Sequence, residues 1–108
     1  MTIRTIFVAA ILTGFSYHSA LADTATIIGI GANKCSNWTA ARAKNQSLEY
    51  QAWVFGAFSG AATSHSGNLL KDTNGNSLLA AVDQECQLRP ESIINDAVVR
   101  IVNRLAGL

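Results

Sequence analysis

Residues 47–63 read Ser-Leu-Glu-Tyr-Gln-Ala-Trp-Val-Phe-Gly-Ala-Phe-Ser-Gly-Ala-Ala-Thr, and the fold turns on how this stretch is read. After Gln51 it holds no charge and no proline, and it interleaves large side chains (Trp53, Val54, Phe55, Phe58) with small ones (Ala52, Gly56, Ala57, Gly60, Ala61). At about 100° per residue the apolar groups fall all round the axis, the pattern of a helix enclosed by other elements. The spacing predicts a central helix with Ser47 as N-cap and Glu49 in the first turn, where a carboxylate suits the dipole. Ala52, Gly56, Gly60 and Ser64 recur every fourth residue. They predict a small-residue groove for a second helix, from the same chain or from a second copy in a homodimer.

Outward from this helix the same logic gives an all-α domain. On the amino-terminal side, residues 36–44 contain Trp38 and end on Arg42 and Lys44, the pattern of a short helix with Ser36 or Asn37 as N-cap. On the carboxyl-terminal side, residues 77–88 predict a helix capped by Asn76, with Leu78, Leu79, Val82 and Cys86 inward and Asp83, Gln84 and Glu85 mostly outward. The run Arg89-Pro90-Glu91-Ser92 reads as the opening of a last helix. Its residues Ile94, Ala97, Val98, Ile101, Val102 and Leu105 recur at spacings of three and four, opposite Asp96, Arg100, Asn103 and Arg104. The expected fold is a small bundle of about four helices with one disulfide.

The chain begins with a secretory pattern. Arg4 is the positive flank, residues 5–15 the apolar run, and Ala20-Leu21-Ala22 a small-x-small cleavage site, so residues 1–22 are expected to be a signal peptide. The apolar run ends at Ser16, Tyr17 and His18 and falls short of the roughly 20 residues that cross a bilayer. Residues 23–34, with Gly29-Ile30-Gly31, read as an extended arm, and 35–108 as a single helical domain. Export to the periplasm or medium follows. In that compartment Cys35 and Cys86 are expected to pair, and by the chain-entropy model a bridge closing a loop of this size stabilises the domain by about 4 kcal/mol. A redox or metal pair is the alternative, though neither cysteine has a second Cys or a His at ligand spacing.

Charge and composition narrow the function classes. The full chain carries 8 Lys and Arg against 7 Asp and Glu, and Arg4 lies in the leader, so the processed chain is close to neutral. No run of cations forms a basic stripe, which argues against nucleic acid as a partner. The polar stretch 64–77 is where a partner site is expected, with His65, Lys71, Asp72 and Asn74 as its chemical handles. His65 between two serines lacks an orienting acid and an oxyanion hole, so no hydrolytic triad is read here. Asp72, Asn74, Asn76 and Asp83 partly match a calcium loop, but Ser77 stands where glycine makes the turn and Asp83 where a bidentate glutamate closes the site. No metal, no cofactor and no enzymatic activity are expected.

The order of these features carries a resemblance. A cysteine, a short Trp-bearing helix, a buried helix with Tyr50-Gln51-Ala52-Trp53-Val54-Phe55-Gly56, a polar loop, a helix ending in cysteine, then Pro90 and an amphipathic helix resemble the HdeA/HdeB acid-stress chaperones over most of 35–105. The chain is also similar, more weakly, to Tai-type immunity proteins. The first resemblance implies a periplasmic chaperone that opens in acid and binds unfolded protein clients, with Trp53, Phe55 and Phe58 as the client surface. The second implies a module that binds one protein partner, with the loop from His65 to Asn76 as its surface.

Overall fold

The computed structural model describes residues 25–108. The expected leader and its cleavage point lie outside the described residues. Four helices follow in order, α1 (Cys35–Ala43), α2 (Leu48–Ser64), α3 (Gly75–Leu88) and α4 (Ile94–Leu105), preceded by a 3-10 turn at Ile30–Ala32. The fold is all-α, and a disulfide joins Cys35 at the start of α1 to Cys86 near the end of α3. Both cysteines are completely buried.

The amphipathic pattern of α4 becomes the floor of the bundle. Ile94, Ala97, Val98, Ile101 and Val102 are buried, and α1, α2, α3 and the 3-10 turn all pack on this helix. Fully burying one such aliphatic side chain contributes roughly 1.5–3 kcal/mol, so this stripe is a large share of what holds so small a domain together.

The helix starts differ from the caps expected, for one shared reason. The amide of Cys35 donates to the carbonyl of Ser92 at 2.7 Å, that of Ser36 to Pro90 at 2.9 Å, and that of Ile94 to Asn33 at 2.9 Å. Lys34 and Ile93 form an antiparallel bridge between these two approaches. The open amides of α1 and α4 are thus satisfied by backbone from across the fold, and neither Ser36 nor Asn37 is needed as a cap. The Arg89–Ser92 stretch caps α1 rather than opening α4, which begins at Ile94. Local chemistry does decide α3, whose Asn74 side chain accepts from Ser77 N at 2.9 Å, two residues before the cap expected at Asn76. It also decides the end of α1, where Asn45 takes φ 55° while Gln46 N bonds to Ala41 O and Asn45 N to Arg42 O.

The arm departs from the extended reading over its second half. Gly31 lies under the indole of Trp53, so close that a Cβ at position 31 would overlap the ring. The missing side chain lets the 3-10 turn lie flat on α2. Upstream, the backbone stays irregular and Ile28 is exposed.

The central helix has a wet face after all. Val54 and Phe58 are buried, but Ala52, Gly56, Ser59, Gly60 and Thr63 are exposed, and a Cβ on Gly56 or Gly60 would meet nothing within 4 Å. Among the described residues nothing fills the small-residue groove. A face with no large side chain leaves the same apolar signature in sequence as a buried one, so periodicity alone does not separate them.

Candidate functional site

Two polar clamps bind α1, α3 and α4 to one another. In the first, Asp83 accepts from the indole N–H of Trp38 at 2.7 Å and pairs in two-pronged fashion with Arg42, at 3.0 Å from Nε and 2.9 Å from Nη2. Trp38 is fully buried, edge-on to Tyr50 with ring centroids 6.3 Å apart, and the Arg42 guanidinium lies 5.9 Å from its ring centre. No face of Trp38 is open to a stacking ligand. Trp38 lies in the same buried cluster as the two disulfide cysteines.

In the second clamp, Glu85 is only 5% exposed and accepts from Arg100 Nε at 2.7 Å, Arg104 Nη1 at 2.6 Å and Arg89 Nη1 at 3.0 Å. Burial works against its charge, but the hydrogen bonds and positive charges of Arg100 and Arg104 outweigh burial and hold the carboxyl below its ordinary value. Asp83 and Glu85 were expected to point outward and instead carry both clamps. The helical spacing placed them beside the inward stripe, but their burial depends on arginines 41, 15 and 19 residues away in sequence. No run of cations in the sequence marks the second clamp, yet Arg89, Arg100 and Arg104 meet at one carboxylate.

Helix α2 is held differently. Among the described residues, its side-chain hydrogen bonds are all local, Gln51 to Ser47 Oγ and Thr63, Ser64 and His65 with backbone one turn back, and no ion pair reaches it. Its attachment to α4 and to the 3-10 turn is apolar. Of the three aromatics expected as a client surface, Phe58 is 1% exposed in the core. Trp53 is half-buried under Gly31, and Phe55 is half-buried against the start of α3 at Gly75. In the folded molecule they form no shared exposed face, because Phe58 is buried, Gly31 covers Trp53, Gly75 covers Phe55, and Trp53 and Phe55, two residues apart, do not face the same way.

The polar connection between α2 and α3 forms an open cleft of about 450 Å³ with the end of α4, lined by His65, Ser66, Asn68, Asp72, Thr73 and Leu105 among others. His65 and Asp72 of the expected partner loop thus come together, with His65 Nδ1 2.9 Å from Ala61 O. Lys71 is exposed outside the cleft lining, and Asn74 is engaged as the α3 cap. The calcium-like oxygens are dispersed, since Asp83 belongs to Arg42 and Trp38, and among the described residues no cluster of three His, Cys, Asp or Glu could hold a metal. No described helix is long and apolar enough to cross a membrane.

No protein-family model matches the chain, and neither a curated protein nor a solved structure shows significant similarity to it.

Proposed function

We propose that this is an exported, non-enzymatic protein that opens in acid and uses the aromatic side chains of α2 to bind unfolded protein clients, in the manner of the HdeA/HdeB chaperones it resembles. One observation carries the reading. Helices α1, α3 and α4 are cross-linked by a disulfide and two ion-pair clamps, whereas the aromatic helix α2, whose one charge is Glu49 in its first turn, is attached to the other described residues by apolar packing. Acid would neutralise Glu85 and weaken the α3–α4 floor on which α2 rests. Trp53, Phe55 and Phe58 would then be uncovered together, while the Cys35–Cys86 bridge limits how far the chain opens. A chain that is nearly neutral at pH 7 becomes strongly cationic once its carboxylates are protonated, and self-repulsion favours the opened form.

The test is suppression of client aggregation by the oxidised protein at about pH 2 to 3, below the ordinary carboxylate range, and at pH 7, with tryptophan fluorescence recorded in parallel. Suppression confined to acid and accompanied by exposure of Trp53 supports the reading. Absence of suppression at both pH values ends it.

A second reading, an immunity protein or other module specific for one partner, is favoured by the cleft that brings His65 and Asp72 together beside Leu105. It expects one partner bound at neutral pH, with binding lost in His65→Ala and Asp72→Ala and kept in Phe58→Leu.

A further inference from the structure

Three guanidinium groups on one carboxylate are more than a bundle lock requires. One arginine neutralises Glu85, and the other two leave a local surplus of two positive charges held against their own repulsion. Among the described residues no other acid forms an ion pair with these three arginines. Glu91 is paired with Lys34, Asp83 with Arg42, and among the described residues no ion pair reaches Asp96 on the first turn of α4. Each guanidinium has five N–H donors in a rigid fork. Glu85 takes one from each, Ser92 Oγ takes one more from Arg100 at 3.2 Å, and the rest have no partner among the described residues. Arg89 and Arg104, at 54% and 56% exposure, turn much of their surface to solvent.

We propose that Arg89, Arg100 and Arg104 form a binding site for a divalent oxyanion of the phosphate type, with Glu85 as the buried anchor that sets their geometry. Charge and shape both argue for this class. Two surplus positive charges match a dianion, and the planar fork matches phosphate oxygens better than a lysine ammonium does. The guanidiniums are already tethered from one side, so a ligand arriving from the other meets donors that have lost much of their rotamer freedom. The site is complete at neutral pH, with Glu85 charged, and is therefore independent of opening in acid.

The test titrates the oxidised full chain with inorganic phosphate at pH 7.5, with chloride as the matched-ionic-strength control and nitrogen-15 spectra of the arginine side chains as the readout. The expected result is saturable binding with shifts at the Nε–H signals of Arg89, Arg100 and Arg104. Arg104→Gln and Arg89→Gln should each weaken binding at least tenfold with unchanged far-ultraviolet circular dichroism. Arg104→Lys, which keeps the charge and loses the fork, should weaken it too, and Lys44→Gln should leave it alone. Phosphatidylcholine vesicles with and without phosphatidic acid distinguish the source. Capture by phosphatidic acid that inorganic phosphate competes away assigns a lipid headgroup, and binding of inorganic phosphate alone assigns a free anion. A response no larger than that to chloride, or shifts confined to residues outside the three arginines, would overturn the proposal.

Discussion

Oε1 of Glu85 accepts a hydrogen bond of 2.6 Å from Nη1 of Arg104, 19 residues further along the chain, while its other oxygen takes Arg89 and Arg100. One buried carboxylate thus joins the end of α3 to two successive turns of α4. Removing it leaves Arg100, itself only 27% exposed, without its partner. Glu85→Ala is expected to lower stability at pH 7 by about 2–3 kcal/mol, the low end for a broken buried pair because Arg89 and Arg104 remain half in water. A urea midpoint unchanged from the parent would contradict this.

The acid response of that clamp has a definite sign. Because the folded-state pKa of Glu85 lies below its ordinary value of about 4.3, the clamp contributes fully above that value and is lost as pH falls through the lower, folded-state pKa. The stability gap between the parent and Glu85→Gln should therefore be constant from pH 7 to about 5 and close at lower pH. Paired urea titrations across this range check it, and a gap that widens in acid would reverse the assignment.

Gly31 and the two α2 glycines should answer alanine substitution with opposite signs. At Gly31 the new methyl overlaps the Trp53 indole, so the ring or the 3-10 turn must move, at a cost of about 1–3 kcal/mol. Thermal unfolding and near-ultraviolet circular dichroism should both register the change.

At Gly56 and Gly60 the methyl meets open space, and each substitution should stabilise α2 by about 0.5–1 kcal/mol through helix propensity. Thermal unfolding with sedimentation velocity decides the matter. Destabilisation together with a fall in sedimentation coefficient would mean that a second copy occupies the groove.

Reduction of the disulfide, or Cys35→Ser with Cys86→Ser, opens a loop spanning 51 positions and should cost about 4 kcal/mol. Such a loss takes a domain of this size close to its unfolding threshold. The check is the urea midpoint at pH 7 with and without reductant.

Much of the architecture was legible because it depends on near neighbours in the chain. The four-residue spacings of α4, the break after Lys44 and the polar loop before α3 each follow from periodicity or turn chemistry within one segment. The caps of α1 and α4 were not legible, since the amides of Cys35, Ser36 and Ile94 are satisfied by carbonyls more than fifty residues away. Of the candidate site, the polar loop was found but only His65 and Asp72 of it meet at the cleft, and the aromatics of α2 were identified without their separate surroundings. Of the arginine cluster the sequence showed only halves, Glu85 with Arg89 and Arg100 with Arg104 each four residues apart, while the meeting of the two pairs depends on how α3 packs on α4.

By itself, then, the sequence determined the helical class, the approximate helix limits and two cysteines suited to pairing, because helix periodicity, turn residues and cysteine count are local or compositional. Only the tertiary structure decided which polar groups are buried and which small-residue face stays open. Charge burial is settled by which partner arrives from another helix, as Arg100 and Arg104 do at Glu85 and Arg42 does at Asp83. The face of α2 carrying Gly56 and Gly60 is open because no other described helix packs there, and no property of those glycines encodes that.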